Sequence, residues 1–340
     1  MDKFEKYLPE IEFEIQGKIK KSLGEIKPFC NMANYAFGVV DDRGMKIDNI
    51  KFRGKRFRSL LCLLVCESIC KKYKRALPAA AAIEIFHNFS LVHDDIEDCD
   101  EYRRWRKSVW RVWGVEHAIN VGDAMLVLAC LPEIRQDKNV SENKYLKIAA
   151  MLNNCFLEVI KGQYLDMSLE KKEDILLEEY LEMIKKKTAT LIIASCQIGA
   201  ELATKNKKTI NYYKNFGLNL GLAFQIYDDV CGIWEESQLG KREEGDIKKK
   251  KKTLPFIFAL EKLNRKDKNQ FLKIYKKKSI DANDVKKIYL FLDKINARSF
   301  CEKNVLKYKK KALENLEKIN IKKSYKDEIS ELVNKLIDVN

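Results

Sequence analysis

The chain of 340 residues is poor in the two residues that break helices, with 14 glycines and 5 prolines. Breakers this sparse favour long helices and leave little material for tight hairpin turns. Long apolar runs are also missing. The longest, Ala124 to Leu131, has eight residues, far short of a bilayer span. The opening segment, MDKFEKYLPEIEFE, is acidic and carries no apolar signal core. No run of alternating apolar and polar residues stands out, so sheets are not expected. There is no CxxC pair and no Ser–His or Cys–His pattern. The missing apolar runs and signal core argue against a membrane span and point to a cytoplasmic protein. Ten cysteines are scattered through the chain, and Cys62, Cys66 and Cys70 repeat every four residues along one helix face. A metal site is the sharper reading of that repeat. Buried small hydrophobes in a reducing compartment are the simpler one, and the apolar surroundings favour it.

What the chain has is charge and helical periodicity. The net charge is +15, which fits nucleic acid, acidic membranes or anionic substrates alike. Abundant Lys, Ile and Asn also suit a lysine-biased genome, so position matters more than the total. Apolar residues Phe4, Leu8, Ile11, Ile15 and Ile19 open the chain at helical spacing. Residues 41–54 read as a loop, and nearly everything from Lys55 onward reads as helix. Helices are predicted over 57–73, 79–98, 115–131, 143–168, 177–203, 208–235, 254–263 and 284–299, with a charged helical tail over 301–340. No repeat or low-complexity linker divides the chain. The expected architecture is all-α: a single large helical bundle spanning 1–340 as one domain.

The segment SLVHDDIEDCDEYRR, from Ser90 to Arg104, carries the strongest chemical signal. Asp94 and Asp98 are four apart, one helical turn from each other on one face, and Asp95 lies beside them. Like charges at that spacing destabilise a bare helix, and a divalent cation would offset the repulsion. An all-oxygen ligand set suits Mg²⁺, which keeps waters and shares phosphate oxygens of a substrate. The plainer alternative, a solvated acidic helix end, is weakened by the apolar run FHNFSLV before it. A second pair, Asp228 and Asp229, ends another apolar helical run, FQIYDDVCGIW. Each pair is followed by basic residues: Arg103, Arg104, Arg106 and Lys107 after the first; Lys241, Arg242 and Lys248 to Lys252 after the second. Acid–metal–phosphate bridging, with Arg and Lys on the remaining oxygens, is a physical way to hold a diphosphate. A further basic group, FRGKRFRSLL, places Lys55 and Arg58 three apart on a starting helix, and His87 lies one helix later.

These residues occur in an ordered set: GKRFR at 54–58, HNFSLVHDDIED at 87–98, RR at 103–104, GDAMLVLA at 122–129, GQYLD at 162–166, KTA at 187–189, FQIYDD at 224–229, LGK at 239–241 and GDIKKKKKTLP at 245–255. The set resembles the trans-isoprenyl diphosphate synthases, the polyprenyl synthetase family that includes farnesyl and geranylgeranyl diphosphate synthases. The match runs from about Lys55 to Pro255. The resemblance implies an isoprenoid-synthase bundle with an active-site cavity between helices. It implies two magnesium ions on Asp94 and Asp98, and a third on Asp228 helped by Asp246 through water. Arg103, Lys187, Lys241 and Lys251 would hold the allylic diphosphate. Lys55, Arg58, His87 and Arg104 would hold isopentenyl diphosphate. Thr188 and Gln225 would line the reacting centre, and Gln163 and Asp166 would support the metal site. Phe89, five residues before Asp94, would act as a floor that limits the product to about C15 to C20. Packing of Phe89 into the core is the alternative. A homodimer follows from the resemblance alone.

Two positions depart from the family pattern. Gly232 stands at the fifth place of the second motif, where an Asp is usual, and Trp105 replaces the Gly after Arg104. Asp228 and Asp246 remain, so metal binding is expected to survive. Gly232-Ile233-Trp234 and Val109-Trp110 resemble a bacterial subgroup that also contains enzymes resembling terpene cyclases. A cyclase of the same fold is therefore one rival, although it has no use for Lys55, Arg58 and His87. A non-catalytic subunit of a heteromeric synthase is another, although such subunits tend to lose acidic motifs. A nucleic-acid binder rests on charge alone, without a base-reading motif.

Overall fold

The computed structural model describes residues 4, 6–47, 52–131, 141–234 and 245–338. Fifteen α-helices are found among them. They are α1 Leu8–Leu23, α2 Lys27–Ala36, α3 Phe57–Cys70, α4 Leu77–Glu97, α5 Val109–Trp113, α6 Val115–Cys130, α7 Glu142–Glu170 and α8 Leu177–Ile184, followed by α9 Thr190–Ala203, α10 Lys207–Trp234, α11 Leu254–Lys262, α12 Arg265–Tyr275, α13 Ala282–Lys294, α14 Ala297–Glu317 and α15 Lys323–Leu336. The protein is all-α, as the scarcity of breakers predicts. Four prolines, Pro9, Pro28, Pro78 and Pro255, sit in first turns, of α1, α2, α4 and α11. There the missing N–H has no intrahelical partner to lose, so these prolines start helices rather than break them.

The periodicity misplaces several ends. α2 has no counterpart in the expected helices. The predicted helix over 177–203 is interrupted by a π-helical turn, Lys185–Ala189. The stretch 284–299 covers nearly all of α13 and runs past its end into the start of α14, and the tail breaks between α14 and α15. A short antiparallel pair, β1 Tyr102–Arg103 and β2 Arg106–Lys107, also appears. Its turn residues, Arg104 and Trp105, have φ of 50° and 66°. Both central residues thus lie at positive φ, the condition of a tight hairpin turn. A two-residue ladder is too short to leave an alternating pattern in the sequence.

The chain forms two compact units. The first comprises 1–156, 194–214 and 320–329, and the second 157–193, 215–319 and 330–340. In the first, α4 is the central helix and packs on α1, α3 and α6. Its first ten residues, Leu77 to Phe86, are all buried. A four-alanine run, Ala79 to Ala82, keeps that surface thin and lets neighbours approach. Three of these helices are tied by one cation. Arg56, 3% exposed, donates to Glu12 of α1 at 2.8 Å, to Glu84 of α4 at 3.1 Å and to the Phe37 carbonyl at 3.0 Å. Losing one partner of such a buried pair costs about 3–5 kcal/mol, because the other charge stays buried. In the second unit, α11 packs on α8, α13 and α14. Its Phe256 meets Phe271 and Tyr275, and Phe258 stacks on Phe300 at 3.8 Å. No helix among the described residues is long and apolar enough to cross a membrane.

Candidate functional site

In the first unit the acidic cluster ends α4. Asp94 is half-buried, and Asp98 is the exposed residue closing the helix, its N–H bonded to the Asp94 carbonyl at 2.8 Å. Asp95 behaves differently. It is 3% exposed and accepts from Arg103, with Nε at 2.7 Å and Nη2 on the same oxygen. Burial pushes its carboxyl up to about 6 despite the guanidinium beside it. Asp95 thus belongs to the scaffold that holds Arg103, rather than sharing the setting of Asp94 and Asp98. The β1–β2 hairpin carries both predicted arginines. Arg104 donates to Asn88 Oδ1 at 3.2 Å and to the Arg53 carbonyl at 3.3 Å. Trp105, at the turn, is 59% exposed.

The basic group before α3 is arranged differently from its sequence reading. α3 begins at Phe57, so Lys55 precedes the helix and is exposed, while Arg58 lies in the first turn. Arg58 stacks over Phe57 at 4.4 Å and donates to His87 Nε2 at 3.1 Å. An arginine can only donate, so His87 carries its proton on Nδ1. Burial, followed by Arg58 and Arg104, pushes the imidazole well below its usual pKa and keeps it neutral. Phe89 is 6% exposed, between Phe86 at 5.2 Å and His93 at 4.7 Å, and Phe86 stacks on Phe156.

In the second unit the predicted residues gather around the π-helical turn. Lys187 pairs with Asp166 of α7, and Thr188 donates to Gln225 Oε1 at 2.6 Å. Gln225 then donates to Asp229 Oδ1 at 2.9 Å. Asp229 is 4% exposed and also accepts from Tyr180 at 2.6 Å and the Leu254 N–H at 2.8 Å. Burial pushes its carboxyl up to about 7, while these hydrogen bonds oppose the shift. Asp228 is half-buried, as are Gln163, Asp246 and Lys251. Of the five lysines, Lys250 donates to the Lys277 carbonyl and Lys252 lies over the Phe256 ring at 4.1 Å. Those two hold local structure. Lys241 lies outside the described residues.

The turn depends on glycines that let neighbouring backbone in. A Cβ on Gly162 of α7 would lie 2.2 Å from the Lys187 nitrogen, and one on Gly221 of α10 would lie 2.5 Å from the Ala189 Cα. Two glycines therefore clamp KTA between α7 and α10. π-turns of this kind occur often at functional sites.

The polyprenyl synthetase family profile matches residues 44–292. The chain belongs to the polyprenyl synthetase family. It is 37% identical over 231 residues to (2E,6E)-farnesyl diphosphate synthase of Mycobacterium tuberculosis, covering 67% of this chain and 62% of that relative's length. It is 31% identical over 323 residues to geranylgeranyl diphosphate synthase of Sulfolobus acidocaldarius, covering 95% of this chain and 94% of the relative. The crystal structure of geranylgeranyl pyrophosphate synthetase from Pyrococcus horikoshii superposes with a TM-score of 0.87 at 32% identity, covering 99% of this chain and 97% of that one. Polyprenyl synthetases work with divalent metal ions. Asp94 and Asp98 in the first unit, and Asp228 in the second, carry hard carboxylate oxygens, the donor type such ions take. Among the described residues no three His, Cys, Asp or Glu side chains gather closely enough to form a cage.

Sequence reasoning missed Asp229 as a hub, Tyr180, Asn88 and the π-turn. The DD pair marked the place of Asp229 but gave no sign of which aspartate turns inward. Tyr180 left no signal. The glycine clamp yields a paired test by urea unfolding. Gly162→Ala is expected to lose about 1–3 kcal/mol from overpacking. Gly17→Ala, at a helical glycine with nothing within 4 Å, is expected to gain up to about 1 kcal/mol from helix propensity. Equal effects would contradict the clamp.

Proposed function

We propose that the chain is a short-chain trans-prenyltransferase that joins an allylic diphosphate to isopentenyl diphosphate. The whole chain would act as one synthase domain. The observation that carries this reading is the retention of two kinds of anion-binding group. One is Arg103 fixed beside the acidic end of α4. The other is the Arg58–His87 pair with Arg104, which a cyclase acting on one diphosphate would not need.

Magnesium bound through Asp94, Asp98 and Asp228 would supply positive charge to the diphosphate as it departs. The other steps belong to the chain's own groups. Arg103, Lys187, Lys251 and Lys241 hold the allylic diphosphate and take up the charge that grows as its C–O bond breaks. Asp95 and Asp166 keep Arg103 and Lys187 in place beforehand, so little reorganisation is needed during the reaction. Lys55, Arg58, Arg104 and the Nδ1–H of neutral His87 hold isopentenyl diphosphate, whose double bond attacks the allylic cation. Thr188 and Gln225, already bonded to each other, line the reacting centre. The released diphosphate accepts the proton that leaves. Gln163 and Asp166 support the metal-binding side. Phe89 sets the floor for a product of about C15 to C20.

A homodimer is supported by apolar residues left exposed on α6 and α7, including Ile119, Val127, Leu146 and Leu157. Six of the ten cysteines, Cys62, Cys66 and Cys196 among them, are buried as small apolar side chains, the use expected of a protein in a reducing cytoplasm. The partners are the two diphosphates, not nucleic acid.

The reading is tested by incubating the purified chain with Mg²⁺ and dimethylallyl, geranyl or farnesyl diphosphate, with and without isopentenyl diphosphate. Chain-extended diphosphates are expected, and only when isopentenyl diphosphate is present. Hydrocarbon formed without it would identify a cyclase, and no activity of the chain alone would favour a non-catalytic subunit. Phe89→Ala, run in the same assay, is expected to shift the products by one or more isoprene units towards greater length. An unchanged product length would remove Phe89 as the floor.

A further inference from the structure

Position 232 lies one helical turn after Asp228 on α10, so the two share a face. Residue 232 is a glycine, and its side-chain volume is already filled. A Cβ built there would lie 2.1 Å from Asp246 Oδ2, 2.7 Å from its Cγ and 3.4 Å from its Oδ1. Real Cβ atoms essentially never approach closer than 3.0 Å. The fit is fixed by the backbone as well. The Asp246 N–H donates to the Gly232 carbonyl at 3.2 Å, and the Lys251 N–H donates to the Asp246 carbonyl at 3.0 Å. The turn that begins at Gly245 is thus tied onto the last turn of α10. Its one carboxylate lies in the space a side chain at 232 would occupy.

We propose that Gly232 is a positioning residue: its missing side chain seats the Asp246 carboxylate on the Asp228 face of α10, where it serves the divalent cation. On this account the carboxylate on that face, one turn beyond Asp228, comes from the following turn of chain instead of from α10 itself. The glycine is then a requirement of the site and not the loss of a ligand. Such an arrangement has a mechanical consequence. Residues 246–251 include Lys251, so seating Asp246 also fixes where the backbone of that lysine begins. Any side chain at 232 must displace the carboxylate, the turn, or both.

The inference rests on the proposed function only for the identity of the ligand, and binding can be read without turnover. The probe is inorganic pyrophosphate titrated calorimetrically into the full chain with saturating Mg²⁺. Gly232→Ala is expected to weaken binding about tenfold or more, and Asp246→Ala by a similar factor, as for other groups that support a metal from its outer shell. If Gly232 acts only through Asp246, the double variant is no weaker than Asp246→Ala alone. Moving the carboxylate onto the helix, in Gly232→Asp with Asp246→Gly, is expected to recover most of the affinity. Melting of the ligand-free variants guards against misfolding. If Gly232→Ala alone fails to fold, Gly232→Ala with Asp246→Ala is expected to fold, because the clash is gone. Wild-type binding by Gly232→Ala, or losses that multiply in the double variant, would overturn this inference alone. A wild-type chain that binds no pyrophosphate with Mg²⁺ would overturn the functional reading beneath it as well.

Discussion

Each acidic pair depends on its buried member. Asp95 is closed against Arg103, and Asp229 receives Tyr180, Gln225 and the Leu254 N–H. A carboxylate taken out of water is costly unless nearly every lone pair is used. Here the burial is productive because each inner carboxylate arranges the residues the chemistry would use. Asp95 aims a guanidinium that arrives on a hairpin. Asp229 aims Gln225, and through it Thr188 on the π-turn. Asp94 and Asp228 are the half-buried partners. The doubled aspartate is thus two different devices in adjacent positions.

The same logic of buried charge extends into the scaffold. Arg56 joins α1 and α4 to the start of α3 through Glu12 and Glu84, and Glu84 also accepts from Ser59 and Asn88. Asn88 in turn accepts from Arg104. A network that holds the first unit together therefore ends on a predicted substrate contact. In the second unit glycines do the equivalent work. Gly162 and Gly221 admit the backbone of KTA, and Gly232 admits Asp246.

Much of this was legible in the sequence, for definite reasons. Helices were legible because few breakers interrupt the 3.6-residue pattern and because most prolines start helices. The chemical residues were legible because charged pairs end long apolar runs, which composition alone does not explain. The direction of each side chain was not legible. Whether Asp94 or Asp95 turns inward is decided by Arg103, eight residues away across a helix end and a hairpin. Asp229 is decided by Tyr180, 49 residues away. The start of α3 at Phe57 agrees with the predicted helix, but Lys55 was wrongly placed on it, because Arg56 takes a left-handed conformation, φ 49°, that no local pattern announces. The lysine run reads as basic residues beside Asp228 without saying which of them stay local, and Lys250 and Lys252 are held by carbonyls and aromatic rings of α11 and α12 and the turn after it. Trp105 at a positive φ, where the family has glycine, has no explanation in its contacts.

The division between inner and outer aspartates is tested most directly by four conservative variants measured in two ways. Ligand-free melting reports the scaffold, and Mg²⁺-dependent pyrophosphate binding reports the site. Asp94→Asn and Asp228→Asn are expected to melt like the wild type and to bind pyrophosphate about tenfold or more weakly. Asp95→Asn and Asp229→Asn are expected to melt clearly lower before any ligand is added. If the outer variants lost as much melting temperature as the inner ones while keeping their affinity, the account would be contradicted.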